Sequence, residues 1–225
     1  GAVTQSVADT SSLDPTQVLI VDGGPHPPSL ARIPEATLVI AVDSGYEHAQ
    51  SLGIKVDVVV GDLDSVTAET LQTLDAQVAV EKHDTDKDES DLALALKFAQ
   101  RVGAQHIDIV TGGNGRLDHL LIGSMLLANE ENLNQSIVTH CGTSRMVALG
   151  PSKPLELDNI IGSWLSLIAL DVGARVSTTG LRWNLAPTDV FPPFSSLGLS
   201  NQILDKPTVN VTQGIFLAIV SSPDA

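Results

Sequence analysis

Apolar residues in the first part of the chain form short, nearly continuous runs that alternate with helix-spaced stretches. The runs are rich in β-branched residues and lie at 17–21, 37–42, 56–60 and 106–110. Such runs are typical of strands that are buried on both faces of a parallel sheet. Helices are predicted between them, at 46–52, 68–74, 91–102 and 117–128. The alternation predicts an α/β domain with a mostly parallel sheet over residues 17–143.

The helix predicted at 91–102 is the clearest one, because its apolar residues recur every three or four positions. These residues are Leu92, Ala95, Leu96, Ala99 and Val102. Ser90 is the predicted N-cap of this helix. Asp91 follows in the first turn, where a negative charge is favourable beside the helix dipole. The Asp91 carboxylate can therefore serve helix capping or a ligand site, and the pattern alone leaves both open.

Helical periodicity fades after residue 143. Short apolar runs follow at 145–149, 163–170, 175–179, 208–212 and 215–220, and glycine and proline separate them. This pattern predicts a smaller antiparallel β domain over residues 144–225. Residues 1–16 are polar and lack periodicity, which predicts a disordered tail.

Composition excludes several classes of function. The formal net charge is −15, and no basic patch is present to bind a nucleic-acid backbone. Aromatic residues make up only 3% of the chain, too few for a platform that stacks single-stranded bases. Cys141 is the only cysteine, so an intrachain disulfide is excluded. We see no signal-peptide pattern and no apolar stretch of membrane-spanning length, and we expect a cytoplasmic protein without membrane partners.

Two acidic clusters follow predicted strands. Residues 61–65 read Gly-Asp-Leu-Asp-Ser directly after the run at 56–60, so Asp62 and Asp64 can point toward one ligand. Mg²⁺ prefers one or two carboxylates together with phosphate oxygens and water. Residues 84–91 hold five acids and a single base, Lys87. A capped turn and a solvated acidic loop are the structural alternatives for these two clusters.

A glycine-rich turn follows the run at 106–110. Residues 111–116 read Thr-Gly-Gly-Asn-Gly-Arg and precede a predicted helix. Glycines permit close approach of the backbone, and Arg116 with the amides of a helix start can hold an anion. The chain lacks the P-loop pattern. Acidic clusters, one lysine, one arginine and glycine turns at strand ends together predict a magnesium-dependent phosphoryl-transfer site.

The ordered set of motifs resembles the thiamine pyrophosphokinase family. That family carries an Asp-Gly-Gly turn, then Gly-Asp-Phe-Asp-Ser, then Lys-Asp-x-Thr-Asp, then a glycine turn leading to Gly-Arg-x-Asp-His. The corresponding segments here are 43–45, 61–65, 87–91 and 112–119, and 179–185 and 199–201 resemble its C-terminal signatures. The resemblance covers residues 17–220. Three residues depart from the family motifs, namely Ser44 for Gly, Leu63 for Phe and Ser90 for Thr.

The resemblance implies a Rossmann-like α/β domain, a β-sandwich domain and a homodimer with active sites between its subunits. It implies Mg²⁺-dependent transfer of pyrophosphate from ATP to thiamine. The implied catalytic residues are Asp62, Asp64, Lys87, Asp91, Arg116 and Asp118, with Asp62, Asp64 and Asp91 as metal ligands. The implied substrate-binding residues are Asp43, Gly45, Ser65, Thr111, Gly112, Gly113, Gly115, Trp183, Ser200 and Asn201.

Individual roles follow from the same resemblance. Lys87 and Arg116 would neutralise phosphate charge, while Asp118 would orient Arg116 or meet the cationic thiamine. Three other functions stay open at this point: a pyrophosphokinase for another hydroxymethyl heterocycle such as a pterin, a magnesium-dependent phosphohydrolase or nuclease, and a nucleotide-binding regulator without catalysis.

Overall fold

The computed structural model describes residues 3–5, 9–62, 78–84, 88–113 and 115–224. Contacts divide the chain into two compact units. One comprises Gly1–Gly123 with His140–Gly142, and the other comprises Ser124–Thr139 with Thr143–Ala225. The boundary predicted at residue 143 instead placed 124–139 in the first domain. The predicted helix at 68–74 and the site candidates Asp64, Ser65 and Lys87 lie outside the described residues.

The first unit contains a mixed sheet with helices, as expected for an α/β protein. Its strands are β1 (Val3–Gln5), β2 (Gln17–Val21), β3 (Leu38–Val42), β4 (Val58–Gly61), β5 (Ala79–His83) and β6 (His106–Thr111). They are ordered β1-β5-β4-β3-β2-β6. Strands β5, β4, β3, β2 and β6 pair in parallel, and β1 pairs antiparallel with β5.

The chain changes direction across the sheet at β2. This strand pairs on one side with β3, where Val18 is opposite Leu38, and on the other side with β6, where Val18 is opposite Ile107. Successive strands β3, β4 and β5 extend the sheet away from β2, whereas β6 returns to its other edge. A crevice at the carboxyl ends of the strands beside such a switch point is where open α/β sheets bind ligands.

Three helices are described for the first part of the chain: α1 (Gly45–Ser51), α2 (Asp91–Arg101) and α3 (Leu117–Met125). The predicted N-cap of α2 is confirmed, because the Ser90 hydroxyl accepts a hydrogen bond from the Ala93 N–H at 3.2 Å. Beyond α3 the chain continues as a 3₁₀ turn at Leu126–Ala128, so the predicted helix ends three residues early as an α-helix.

The central strands bury both faces. All five residues of β3 and all four of β4 are buried, which explains why their sequences are almost uninterrupted apolar runs. Leu19, Val21, Ala41, Val59 and Val110 contribute to one core cluster of this unit.

Strand β5 was not predicted from the sequence, because its buried residues are polar. Glu81 is 1% exposed and His83 is 6% exposed. The Arg101 guanidinium donates to Glu81 Oε2 at 2.6 Å, and His83 Nε2 lies 3.2 Å from Glu81 Oε1. The N-terminal segment also differs from the predicted disordered tail, since Val3 pairs with His83 in the short strand β1. A charge-paired strand gives no apolar signal in the sequence.

Strand β7 (Ile137–Cys141), also absent from the sequence analysis, spans the boundary between the two units along the chain. The remaining strands are β8 (Ser144–Leu149), β9 (Trp164–Ala169), β10 (Arg175–Leu181), β11 (Asn201–Gln213) and β12 (Phe216–Ser221). In the second unit these five strands are ordered β8-β12-β9-β11-β10, and neighbouring strands pair antiparallel. An antiparallel β region after residue 143 is thus found where the sequence predicted one.

Strand β11 is much longer than its predicted core at 208–212. Its first two residues pair with β9, and from Ile203 onward it pairs with β10. Apolar residues from these strands form the core of the unit, in which the Phe191 and Phe216 rings meet edge to face at 5.2 Å. The finer descriptions, Rossmann-like and sandwich, stay predictions. Among the described residues, no helix is both long and apolar enough to span a bilayer.

We expect Arg101→Ala to lower the free energy of unfolding by about 2 kcal/mol, because it leaves the buried Glu81 carboxylate without its charged partner. Adding Glu81→Gln should recover part of this loss, since a neutral amide is cheaper to bury. Urea unfolding of the single and double variants measures both effects.

Arg32→Ala is the matched control, since Arg32 pairs with Glu35 at 3.7 Å on an exposed surface. Its effect should stay within about 0.5 kcal/mol. Equal losses from Arg101→Ala and Arg32→Ala would contradict a stabilising role for the buried pair.

Candidate functional site

Three carboxylates meet at the carboxyl edge of the first unit's sheet. Ligand oxygens of Asp43, Asp62 and Asp91 all lie within 4.8 Å of one another. Asp43 follows β3, Asp62 follows β4, and Asp91 is the first residue of α2. The sequence placed Asp62 and Asp91 in a metal set with Asp64 and gave Asp43 to substrate binding. The structure brings Asp43 into the same cluster, and Asp64 lies outside the described residues.

The backbone around Asp43 fixes the position of its carboxylate. Asp43 is buried and has a φ of 46°, in the left-handed region. Its N–H donates to the Val60 carbonyl at 3.1 Å, and its carbonyl accepts from the Tyr46 N–H at 3.1 Å. These two bonds hold Asp43 between the end of β4 and the start of α1. A strained backbone held in this way is a common feature of functional sites.

Gly61 explains why a glycine precedes Asp62. Its φ is 140°, and a Cβ atom there would lie 2.1 Å from Asp43 Oδ1. Any larger residue would therefore occupy the space that the Asp43 carboxylate needs. Gly61 at the end of β4 thus makes room for the Asp43 carboxylate, and Asp62 directly after it supplies a second carboxylate.

The donor set of this cluster fits a hard divalent cation. Carboxylate oxygens are the side-chain ligands that Mg²⁺ takes most readily in proteins. Three carboxylates this close repel one another, and a cation among them removes that repulsion. The chemistry of the three side chains therefore suits Mg²⁺.

A pocket of about 900 Å³ lies beside the cluster. Its wall includes segments that follow β2, β3 and β6 and the start of α2, which is the crevice expected at the switch point. Asp43 and Asp91 line it, and Arg116 is the only lysine or arginine among its described lining residues. A pocket of this size with carboxylates and one fixed cation can hold a phosphorylated ligand with its metal.

The glycine-rich turn after β6 makes its close approach to another segment of the same chain. A Cβ atom on Gly112 would lie 2.0 Å from the His26 carbonyl oxygen, and one on Gly115 would lie 2.6 Å from Pro25 Cγ. The Thr111 hydroxyl accepts from the Gly113 N–H at 3.2 Å. The glycines therefore allow the segment after β2 to pack against this turn, a role that the sequence did not suggest.

Arg116 is held by Asp118. Its Nε and Nη2 donate to the two carboxylate oxygens of Asp118 at 3.2 and 2.7 Å. The hydrogen bond from Arg116 lowers the pKa of Asp118, and the Asp118 Oδ1 also accepts from the His119 N–H at 2.9 Å. Both side chains are exposed, so the pair orients the guanidinium more than it stabilises the fold.

In the second unit, Trp183 is 58% exposed. The Trp183 N–H donates to Asn201 Oδ1 at 3.1 Å, and Asn201 Nδ2 donates to the Trp183 carbonyl at 2.7 Å. Both ends of the Asn201 amide thus support the Trp183 backbone. The Arg182 guanidinium lies 4.7 Å from the centre of the Trp183 ring, and Ser200, with a φ of 54°, donates its N–H to Ser166 Oγ at 3.0 Å. The sequence analysis did not single out Arg182.

Comparison with known proteins agrees with this architecture. Residues 31–139 match the family described as thiamin pyrophosphokinase, catalytic domain, and residues 154–216 match thiamin pyrophosphokinase, vitamin B1 binding domain. Together the two stretches cover most of the chain. The chain belongs to the thiamin pyrophosphokinase family. The resemblance inferred from its motifs is confirmed.

Individual relatives support the same family. The chain is 27% identical over 169 residues to thiamine pyrophosphokinase 1 of Oryza sativa subsp. japonica, covering 70% of this chain and 62% of that relative. It is 35% identical over 112 residues to thiamine pyrophosphokinase of Bacillus subtilis (strain 168), covering 48% of this chain and 52% of that relative. The matches therefore span less than two thirds of either curated relative.

The crystal structure of thiamine pyrophosphokinase from Bacillus subtilis is similar over nearly the whole chain. Its TM-score is 0.78 at 26% identity, and the match covers 92% of this chain and 100% of that one. The mixed α/β class predicted from the sequence is consistent with this neighbour.

Asp22 is a pocket residue that the motifs of the thiamin pyrophosphokinase family did not point to. It follows β2 and is half-buried. Burial raises the pKa of Asp22 to about 6, the Gly23 N–H works in the opposite direction, and the negative charge of Asp91 adds to the rise. Its place at the end of the first parallel strand, directly before two glycines, was the signal that could have found it.

Asp22→Asn should stabilise the metal-free protein at neutral pH. Between about pH 4 and pH 6 the unfolded carboxyl ionises while the folded one keeps its proton, so wild-type stability falls as pH rises. Above that window the penalty is complete and amounts to at most about 3 kcal/mol. Urea unfolding in EDTA should show the variant more stable at about pH 7.5 and equal to wild type near pH 4.

Asp108→Asn is the control with the opposite sign. Burial acts to raise the pKa of Asp108, but hydrogen bonds from His106 at 3.0 Å and His140 at 2.7 Å lower it overall. This variant should lose stability at neutral pH, where wild-type Asp108 is ionised and hydrogen-bonded. If the stability gained by Asp22→Asn did not change with pH, ionisation of Asp22 could not be its cause.

Proposed function

We propose that this protein is a Mg²⁺-dependent thiamine pyrophosphokinase. The observation that carries the proposal is the cluster of Asp43, Asp62 and Asp91 beside a pocket of about 900 Å³ that Arg116 also lines, in a chain of the thiamin pyrophosphokinase family. Carboxylates for a divalent cation and a cation for phosphate charge are the parts that phosphoryl transfer requires.

The proposed reaction has a simple balance. The hydroxyethyl oxygen of thiamine forms a bond to the β-phosphorus of ATP, and the bond between that phosphorus and the bridging α–β oxygen breaks. The hydroxyl proton leaves, AMP departs with the bridging oxygen, and thiamine diphosphate is the product. An alcohol is a poor nucleophile, so the reaction depends on holding both ends in line and spreading the charge on the transferred group.

Asp43, Asp62 and Asp91, together with Asp64, are the proposed magnesium ligands. When bound, Mg²⁺ would offset negative charge on the phosphate oxygens. The chain's part is to hold these carboxylates in place: Asp43 through its bonds to β4 and α1, and Asp91 through the Ser90-capped start of α2. Gly45 and Ser65, which lie close to these aspartates in the sequence, are proposed to contact the bound substrate.

Arg116 is proposed to neutralise charge on the transferred phosphates, together with Lys87. Asp118 holds the Arg116 guanidinium through two hydrogen bonds, which leaves Arg116 with fewer orientations to lose on binding. Of the two roles open for Asp118 from the resemblance, this contact favours the orienting one. Thr111, Gly112, Gly113 and Gly115 then serve by shaping the turn that carries Arg116.

Trp183 is proposed to bind the cationic thiamine, together with Ser200 and Asn201. A large exposed aromatic ring attracts a cationic heterocycle through its π face. Asn201 contributes by fixing the Trp183 backbone from both sides. The vitamin B1 binding match over 154–216 includes all three residues.

We also propose a homodimer with active sites at the subunit interface. Helix α3 supports it, because it buries no residue within the chain and exposes Leu117, Leu121, Ile122 and Met125. An apolar helix surface of this kind is typical of a protein–protein contact. The cytoplasmic location stays a prediction.

Wild-type protein should form AMP from ATP only when Mg²⁺ and thiamine are both present. Asp62→Asn should lower kcat by about 100-fold or more, because it removes a charged ligand from the proposed metal set. A coupled assay for AMP, with thiamine diphosphate measured by chromatography, checks both statements.

Asp189→Asn is the matched control, since Asp189 is an exposed aspartate of the second unit. It should leave the rate unchanged. AMP formation that ignores thiamine but responds to a hydroxymethyl pterin would replace the acceptor, release of inorganic phosphate would indicate a hydrolase, and ATP binding without turnover would indicate a regulator.

Trp183→Ala should raise the KM for thiamine by about tenfold and leave the KM for ATP unchanged, because it removes the aromatic face but no phosphate contact. The thiamine KM of Trp183→Phe should lie between those of wild type and Trp183→Ala. Steady-state kinetics with each substrate varied in turn gives the answer. A thiamine KM that does not change in Trp183→Ala would overturn the role of this ring.

A further inference from the structure

The Gly23–Gly24 turn lies at the carboxyl end of β2 and lines the pocket. Its polar backbone groups are used within the chain. The Gly23 N–H donates to Asp22 Oδ1 at 2.9 Å, and the Gly24 N–H donates to Ser44 Oγ at 3.0 Å. The Gly24 carbonyl lies 2.6 Å from His48 Nε2. Because a carbonyl only accepts, the Nε2 atom of His48 must carry the proton.

This pattern differs from that of a glycine turn that binds phosphate. Phosphate-binding turns point their N–H groups at the ligand. Here both N–H groups are donated to side chains of the same chain, and Asp22, directly before the turn, carries negative charge when ionised. The pocket wall at this place therefore offers the flat faces of peptides and glycine Cα atoms. Such a surface suits a ring and a sugar better than it suits a phosphate.

Two residues of the β3–α1 segment hold the turn. A Cβ atom on Gly23 would lie 2.9 Å from the Val42 carbonyl and 3.2 Å from Ser44 Oγ, so the turn packs directly on this segment. Ser44 bonds the N–H of Gly24, and His48, one helical turn further along, bonds its carbonyl. Gly24 has a φ of 113°, which few other residues adopt.

We propose that the Gly23–Gly24 turn is the wall of the pocket that contacts the nucleoside of ATP, and that Ser44 and His48 are positioning residues that hold it. The inference rests on the proposed function, in which the phosphates lie toward Arg116 and the metal carboxylates. Arg116 is the only lysine or arginine among the described lining residues, whereas the N–H groups of Gly23 and Gly24 are already donated to Asp22 and Ser44, so the turn adds no donor for phosphate.

The test compares two probes that share phosphate but differ in the nucleoside. AMP binding is measured by calorimetry, and inorganic tripolyphosphate is measured as a competitor against ATP. His48→Ala and Ser44→Ala should each weaken AMP binding and raise the KM for ATP by roughly fivefold, the effect of one lost hydrogen bond. Inhibition by tripolyphosphate and the KM for thiamine should stay as in wild type. His48→Gln, which keeps an N–H donor, should restore part of the AMP affinity.

Ser51→Ala is the matched control. Ser51 also lies on α1, but its hydroxyl donates to the Glu47 carbonyl at 3.0 Å, and it is not among the described residues that line the pocket. This variant should bind both probes as wild type does. Ser44→Ala keeps the test valid should His48→Ala fail to fold, because each variant removes a different hydrogen bond to Gly24.

The outcomes separate the two proposals. Unchanged AMP affinity in both Ser44→Ala and His48→Ala overturns the inference, even where wild type forms AMP in the presence of thiamine. Equal weakening of AMP and tripolyphosphate also overturns it, because the turn would then act on the phosphates or on the whole pocket. Selective loss of AMP affinity in the variants supports the inference. A wild-type protein that forms no AMP in response to thiamine would contradict the proposed function, but it would leave this result on AMP binding in place.

Discussion

Electrostatic repulsion among three carboxylates is the constraint on which the site depends. Asp43, Asp62 and Asp91 are brought within 4.8 Å of one another by two strand ends and a helix start. The backbone bonds of Asp43 to Val60 and Tyr46 hold it in this arrangement, and Gly61 leaves space for its side chain. Like charges held close together are a frequent feature of functional sites, and a divalent cation bound among these three carboxylates would remove their repulsion.

The order of the strands brings the other parts of the site to the same edge. Because β2 lies between β3 and β6, the segments that follow these three strands open into one pocket. One segment provides Asp43, another provides the turn with Arg116, and the segment after β2 provides Asp22 and two glycines. Packing of Pro25 and His26 against Gly115 and Gly112 joins two of these segments. A parallel sheet that changes direction thus gathers residues far apart in sequence.

Much of the first unit could be predicted from the sequence, because its central strands are buried on both faces and therefore read as continuous apolar runs. Strand β5 could not, since its buried Glu81 is compensated by Arg101 on another element and periodicity cannot report a charge pair. The length of β11 was also missed, because its residues before 208 are mostly polar and include Pro207. Asp62, Asp91 and Arg116 were found through their spacing. The place of Asp43 in the carboxylate cluster and the pocket positions of Asp22 and His48 depend on three-dimensional contacts that spacing does not encode.

Manganese binding measured by electron paramagnetic resonance tests the central claim most directly. The probe is Mn²⁺ with α,β-methylene ATP, an analogue whose bond to the leaving group cannot be broken, added to wild type, Asp43→Asn and the control Asp189→Asn. The analogue should strengthen Mn²⁺ binding in wild type and in Asp189→Asn, whereas Asp43→Asn should bind the metal about tenfold more weakly or worse. Equal Mn²⁺ binding by wild type and Asp43→Asn would contradict a metal site at the carboxylate cluster.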